Sequence, residues 1–105
     1  MIADNGDDGI HLESSRDNVV TRNVVRANAR DGIDLEDADR NQVTANIVKD
    51  NGRRRDRDSG IELTESDRNV VDGNTVRGNK DGLTDVIRCF SGDDNIGSNV
   101  TRRCQ

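Results

Sequence analysis

The chain has 105 residues, of which 30% are hydrophobic, 35% charged and 1% aromatic, and its formal net charge is −5 at pH 7. This length suits one small domain, and no apolar run is long enough to cross a membrane. Because Phe90 is the only aromatic residue, the composition excludes aromatic platforms for bases or sugar rings, and the acidic balance disfavours nucleic acid as a partner.

Low hydrophobicity is also typical of disordered chains, which combine it with a high net charge. Here 16 basic and 21 acidic residues nearly cancel, and they are mixed along the chain. The apolar residues are mostly Val and Ile, which favour strands. A folded chain is therefore expected if these few apolar residues recur at fixed places.

A repeat of roughly 22 or 23 residues runs through the chain. A Gly-Ile dipeptide marks the start of each copy and is followed by three asparagines spaced by five. One copy carries about five extra residues, which predicts a loop insertion near 52–57. The dipeptides are Gly9-Ile10, Gly32-Ile33 and Gly60-Ile61, and the asparagines are Asn18, Asn23, Asn28, Asn41, Asn46, Asn51, Asn69, Asn74 and Asn79.

Each copy holds three short apolar patches. The first alternates apolar and polar residues, as in Ile33-Asp34-Leu35-Glu36, and the others place a valine two residues after the first and second asparagine. A single coil of three short strands cannot bury its inner face, whereas stacked coils can. The pattern therefore predicts an all-β fold, a parallel β-helix (solenoid) of about four coils with three short parallel sheets. A leucine-rich repeat would need several more Leu per unit.

Stacked coils would place the recurring asparagines above one another at the turns. Their amides can then hydrogen-bond along the stack as ladders, which satisfies polar groups that would be costly to bury. The alternative is that each asparagine is a turn residue chosen for its tolerance of left-handed backbone.

The pattern Asn-x-Val-x-x-Asn-x-Val-x-x-Asn, with Asp-Gly-Ile-x-Leu, resembles the right-handed parallel β-helix repeats of the NosD-like and pectate-lyase-like superfamily. The best copy spans residues 31–51, and the resemblance covers residues 5–79 well. It implies a right-handed solenoid in an extracellular, cell-surface or periplasmic protein. The superfamily includes pectin lyases, polygalacturonases, alginate epimerases, phage tailspikes and accessory proteins without known catalysis, so the resemblance is specific for fold rather than activity.

Residues 1–79 are predicted to form three regular coils, and residues 80–105 a degenerate fourth coil with a C-terminal cap. When the fourth copy is aligned with the others on its glycine, Gly82-Leu83 begins the fourth coil and four extra residues fall near 88–91. Phe90 is then expected to cover the open end of the core as a plug. The resemblance to extracellular proteins and the poor core together favour a disulfide between Cys89 and Cys104, with two free thiols as the alternative.

The residues between the inward Ile and Leu of the first strand are expected to point outward. Stacking would align His11, Asp34 and Glu62 in one column, with Thr84 next, and Glu13, Glu36 and Thr64 in a second. Adjacent coils lie about 5 Å apart. When two carboxylates are this close to each other, the pKa of one of them rises or a cation binds between them.

The resemblance implies chemistry for these columns. In pectate-lyase-like proteins acidic residues on this sheet bind Ca²⁺, and in polygalacturonase-like proteins carboxylates act as acid and base. Carried over, this makes Asp34, Glu62 and His11 the catalytic candidates and Ca²⁺ the candidate cofactor. The candidate metal ligands are Glu13, Asp34, Glu36 and Glu62. The full catalytic motifs of those families are absent from this sequence.

The insertion carries a run of arginines, Arg53, Arg54, Arg55 and Arg57. It precedes the first strand of the third copy, where it could overhang the acidic face and bind a sugar carboxylate. The alternative is a solvated loop.

The first residues show neither a signal peptide nor a recognisable cap. This predicts a shortened chain, a piece of a longer one, or end-to-end self-association through the N-terminal coil. We expect a carbohydrate-associated domain that binds or processes an acidic polysaccharide on the first sheet. As an enzyme it would be a polysaccharide lyase, epimerase or glycoside hydrolase. The alternative is a non-catalytic structural or interaction solenoid.

Overall fold

The computed structural model describes residues 1–53 and 58–79, together with the backbone of 87–89 and 95–96. These residues form twelve β-strands: β1 (Ile2–Ala3), β2 (Ile10–Glu13), β3 (Val19–Thr21), β4 (Val24–Arg26), β5 (Ile33–Glu36), β6 (Gln42–Thr44), β7 (Ile47–Lys49), β8 (Ile61–Thr64), β9 (Val70–Asp72), β10 (Thr75–Arg77), β11 (Ile87–Cys89) and β12 (Asn95–Ile96). In this described part no helix has the length and apolarity to span a membrane.

The strands form three four-stranded sheets. The first sheet has the order β2-β5-β8-β11, the second β3-β6-β9-β12 and the third β1-β4-β7-β10. Each strand pairs in parallel with its equivalent in the next coil. The predicted all-β solenoid with three short parallel sheets is therefore confirmed.

The core is a narrow column filled by four apolar side chains per coil. In the second and third coils all of these side chains are completely buried. In the first coil Ile2, Ile10 and Leu12 are half-buried because only one neighbouring coil covers them. The stacked sets are Ile10, Ile33 and Ile61; Leu12, Leu35 and Leu63; Val20, Val43 and Val71; and Ile2, Val25, Val48 and Val76.

Three columns of asparagine side chains run along the corners of this core. In one column Asn28 Nδ2 donates to Asn51 Oδ1 at 2.9 Å, and Asn51 Nδ2 donates to Asn79 Oδ1 at 2.8 Å. The column extends to Asn5, whose Nδ2 donates to Asn28 Oδ1 at 2.9 Å. In the other columns Asn18 donates to Asn41 and Asn23 to Asn46 in the same way. Asn69 and Asn74 accept in turn from Asn41 and Asn46 of the preceding coil.

The register of the fourth coil differs from the sequence alignment. Ile87 pairs with Ile61 and Arg88 with Glu62, so the prediction that Leu83 and Thr84 take these positions is wrong. The reason is the alternation that a first-sheet strand needs, which Ile87-Arg88-Cys89 keeps and Thr84-Asp85-Val86 breaks. The extra residues therefore precede the strand instead of lying near 88–91.

Most of the predicted C-terminal cap lies outside the described residues. This applies to Phe90, to Cys104 and to the side chain of Cys89. The disulfide, the plug and the boundary at residue 80 stay predictions.

Candidate functional site

The outward face of the first sheet carries a column of three ionisable residues. His11 on β2 is in register with Asp34 on β5, which is in register with Glu62 on β8. Their neighbours in each strand fill the core, because side chains alternate between the two faces. The alternation seen in the sequence therefore sets both the core and the outward column.

His11 and Asp34 form a hydrogen-bonded pair at the surface. His11 Nδ1 lies 2.9 Å from Asp34 Oδ2 and 3.6 Å from Asp8 Oδ2, and Nε2 lies 3.7 Å from Glu13 Oε2. Partial burial lowers the pKa of His11, but the hydrogen bond and charge of Asp34, with the charges of Asp8 and Glu13, outweigh it and raise that pKa above its ordinary value. The imidazole side chain is 39% exposed, so it remains accessible to a ligand.

Asp8 and Asp31 form an inner layer at the corner before the first sheet. Asp8 Oδ1 accepts the backbone N–H of Asp31 at 2.9 Å, and Asp31 Oδ1 accepts a short hydrogen bond from the backbone N–H of Ser59. Sequence reasoning missed both residues as site residues. Their signal was the Asp that precedes Gly9 and Gly32 in the repeat.

Asp31, Asp34 and Glu62 form one carboxylate cluster, in which one oxygen of each lies within 4.8 Å of the others. Burial raises the pKa of Asp31 to about 9, with a further rise from the charge of Glu62, although the Ser59 amide lowers it. Burial also raises the pKa of Asp34 to about 6, helped by the charges of Asp8 and Glu62 and opposed by His11. The cluster therefore holds at least one proton at neutral pH when no cation is bound.

A second group at the same face consists of Asp8, His11 and Asp34, which also bring ligand atoms within 4.8 Å of one another. Asp34 thus belongs to both groups and joins them. Asp8 is closely covered, with a side chain that is 6% exposed, and its Oδ2 lies 3.8 Å from Arg30 Nη1. Arg30 therefore neutralises part of the charge at Asp8, which leaves the Glu62 side of Asp34 more strongly negative.

Two of the four expected metal ligands, Glu13 and Glu36, belong to neither of these groups. Glu13 and Glu36 are in register with each other and with Thr64, and both are exposed. Neither joins a cluster of three ligand atoms among the described residues. The structure brings Asp31 beside Asp34 and Glu62, while the assignment of Glu13 and Glu36 as metal ligands stays a prediction.

Of the arginine run, the described part includes Arg53 alone. Its side chain is 61% exposed, and Nη1 lies 3.9 Å from Asp4 Oδ1. Asp4 follows β1, so this contact lies at the corner between the third and first sheets. Arg54, Arg55 and Arg57 lie outside the described residues.

The donor atoms of the cluster suit a hard divalent cation. Ca²⁺ takes six to eight oxygen ligands in a flexible geometry, and Asp31, Asp34 and Glu62 supply only carboxylate oxygens. A bound cation would favour the charged form of all three and displace the proton that burial retains.

Comparison with known proteins agrees with this architecture. The family model described as "Right handed beta helix region" matches residues 1–104. The chain therefore belongs to the right-handed β-helix family, and the right-handed solenoid that the resemblance implied is confirmed. Searches of the curated proteins and of the solved structures found no match.

Proposed function

We propose that this chain is a carbohydrate-associated β-helix domain that binds an acidic polysaccharide on the outward face of the first sheet. Asp31, Asp34 and Glu62 would hold Ca²⁺, and the cation would bridge to carboxylates of the ligand. The observation that carries the proposal is the approach of these three carboxylates to within 4.8 Å of one another.

The raised pKa values of Asp31 and Asp34 support cation binding at this place. Burial and neighbouring carboxylates raise both pKa values, so these groups retain protons to a higher pH than an ordinary aspartate, and a bound cation would displace those protons. Three protein carboxylates leave several positions of a Ca²⁺ ion open for ligand oxygens. A cation that is shared in this way supplies affinity for uronate groups without any aromatic stacking.

Exposed polar groups beside the cluster can contact the rest of a sugar chain. His11 is 39% exposed and Glu13 67% exposed on the same strand. An imidazole and a carboxylate provide hydrogen-bond partners for sugar hydroxyls. With one aromatic residue in the whole sequence, charge and hydrogen bonds have to supply the recognition.

Calorimetric titration with Ca²⁺ at pH 8 tests the cation site. We expect binding by the natural chain and its loss in Asp34→Asn and in Glu62→Gln. Glu36→Gln makes the same change of charge on an exposed residue outside the cluster and should bind normally. Absence of heat with well-folded protein, or equal binding by Asp34→Asn and Glu36→Gln, would contradict the proposal.

The His11–Asp34 pair favours a second candidate function, which is acid–base catalysis on the same ligand. The Asp34 carboxylate 2.9 Å from Nδ1 orients the imidazole and raises its pKa above the ordinary value, and an imidazole held in this way can transfer protons. Incubation with polyuronate and detection of unsaturated product would test a lyase reaction, with His11→Gln as the variant that should lose it. Ca²⁺-dependent binding without any product would leave a binding module, and no binding at all would favour a structural solenoid.

A further inference from the structure

The outward face of the third sheet carries a column of basic residues. Arg26 on β4 is in register with Lys49 on β7, which is in register with Arg77 on β10. Adjacent strands of a sheet lie about 4.8 Å apart, so the column places three positive charges at a regular spacing along the solenoid axis.

These cations have no counter-ion within the described part of the chain. None of the three side chains forms an ion pair or a side-chain hydrogen bond there. Like charges directly opposite one another in a sheet are destabilising. A column of this kind therefore gains from a bound polyanion that places negative charges along it.

The surroundings of the column leave it open to a ligand. Arg26 and Lys49 are half-buried, so their stems are held against the sheet, and Arg77 is exposed. Two acidic residues of the described chain lie at the edge of the column. Asp50 follows Lys49, and its Oδ1 lies close to Gly78 in the next coil. Asp4 follows Ala3, which is in register with Arg26. Arg53 lies 3.9 Å from Asp4 and offsets part of the negative charge at the corner where β1 ends.

The two faces of the solenoid therefore differ in sign although the chain as a whole carries −5. Carboxylates cluster on the first sheet, and the basic column lies on the third. Segregated charge gives each face its own local potential, which attracts ligands of opposite sign.

We propose that the third sheet is a second binding site, which takes an acidic polysaccharide directly on Arg26, Lys49 and Arg77. The column repeats its charge at about 4.8 Å, which suits a linear polymer with a carboxylate on each sugar. Single-stranded nucleic acid would need aromatic stacking partners that this sequence lacks. The inference rests on the proposed function for its class of ligand, but it uses different residues and no cation.

The test measures binding to immobilised polygalacturonate in EDTA, so that no Ca²⁺-dependent site contributes. We expect the natural chain to bind, with affinity falling as salt rises. The variant with Arg26→Gln, Lys49→Gln and Arg77→Gln should bind at least about tenfold more weakly. Arg16→Gln, an exposed arginine at the corner between the first and second sheets, should bind as the natural chain does.

Two further variants make the outcome decisive. Asp50→Asn should tighten binding, since it removes one carboxylate from the edge of the column while Asn tolerates the left-handed backbone there, with φ of 56°. Asp34→Asn with Glu62→Gln should still bind in EDTA, which separates this site from the first-sheet cation site.

Folding of each variant is checked by circular dichroism. The proposal is overturned if the folded natural chain does not bind in EDTA, or if the triple variant binds as well as Arg16→Gln. It is also overturned if a single-stranded oligonucleotide binds at least as tightly as polygalacturonate.

Discussion

At the scale of single residues, Gly9, Gly32 and Gly60 let the turns before β2, β5 and β8 pack closely against valines of the third sheet. A Cβ on Gly32 would lie 2.6 Å from Gly60 O and 2.8 Å from Asn51 Nδ2, and closer still to Val48 Cγ1. Gly9 and Gly60 are equally crowded. Two of the three close contacts at Gly32 are to core and backbone atoms, which cannot move without disturbing the next coil.

We therefore expect Gly32→Ala to lower the free energy of unfolding by about 2–4 kcal/mol. Gly6→Ala is the control, since no atom lies within 4 Å of a Cβ there. Urea denaturation of both variants measures the difference. Equal stability of the two would show that the turn relaxes freely and that the glycine is not required.

Left-handed backbone before the ladder asparagines is a second local feature. Asp50 precedes Asn51 and Ala45 precedes Asn46, with φ of 56° and 55°, and the third coil has Gly73 at the position of Ala45, with φ of 64°. Such a conformation costs a residue with a Cβ roughly 1–2 kcal/mol. Glycine avoids most of this cost but loses more backbone entropy on folding.

Ala45→Gly should accordingly stabilise the protein by about 0.5–1 kcal/mol, because Ala45 is exposed and its methyl group contributes little packing. Ala38→Gly provides the contrast, since Ala38 is fully buried and is not left-handed. Thermal unfolding of the two variants should give shifts of opposite sign. A loss of stability in both would refute the assignment of strain to position 45.

The buried carboxyl of Asp31 makes stability depend on pH. Its pKa is about 9 in the folded chain and 3.8 as the ordinary value, so between these values the folded state keeps a proton that the unfolded state has released. Stability therefore falls as pH rises through this range, by up to about 1.4 kcal/mol per pH unit. Asp34, with a pKa of about 6, adds to the slope between pH 4 and 6.

Asp31→Asn should flatten this dependence in EDTA. The amide keeps an acceptor for the Ser59 N–H and removes the titrating group. The variant should gain stability over the natural chain at pH 8 and gain less at pH 5. Denaturation curves at the two pH values measure this, and an unchanged slope would mean that Asp31 ionises normally.

At the scale of elements, the ladders connect one coil to the next at each corner. Asn46 Nδ2 donates to Asn74 Oδ1 at 3.0 Å and to Val20 O at 2.9 Å, while Asn46 Oδ1 accepts from the backbone and side-chain N–H groups of Asn23. One buried amide therefore satisfies groups in three coils. Its removal would leave several buried donors and acceptors without partners.

We expect Asn46→Ala to destabilise the protein by about 3–4 kcal/mol. Gln42→Ala removes an exposed amide from the neighbouring strand β6 and should change stability by less than about 0.5 kcal/mol. Chemical denaturation compares the two. A small effect of Asn46→Ala would mean that water replaces the amide and that the ladder adds little.

The elements that repeat could be predicted from the sequence, and the irregular ones could not. Identical residues one coil length apart must stack in a solenoid, so the core columns and the His11, Asp34 and Glu62 column follow from the spacing alone. The fourth coil lacks that regularity. Aligning it on Gly82 therefore placed Leu83 where the structure has Ile87. Asn5 extends a ladder without belonging to a trio of its own, which concealed its role.

At the scale of the whole molecule, the fold was more predictable than the site. The fold follows from a repeated sequence pattern. The carboxylate cluster depends instead on how Asp31, at the corner before the first sheet, meets the outward column of that sheet. Asp31 precedes the strand in sequence and lies outside its alternating residues, yet the corner brings its carboxyl beside Asp34 and Glu62. The alternation of apolar and polar residues identifies outward side chains only within a strand. Asp31 lies before β5, so the alternation could not identify it as part of the carboxylate cluster.

The solenoid architecture also explains how a chain with so few apolar residues folds. With 30% hydrophobic residues it fills a column only four side chains wide, and buried asparagines line its corners. Many of the charged residues lie on the outside, where the described part of the chain carries an acidic cluster on the first sheet and a basic column on the third. Scarcity of apolar residues and abundance of surface charge are thus consequences of the same architecture.

The most direct test of the proposed function is calorimetric titration of the folded chain with an oligouronate at pH 8, with and without Ca²⁺. We predict that Ca²⁺ tightens binding and that this gain disappears in Asp34→Asn with Glu62→Gln but persists in Glu36→Gln. Binding that is unchanged by Ca²⁺, or a gain that survives in the double variant, would contradict a cation-bridged polysaccharide site on the first sheet.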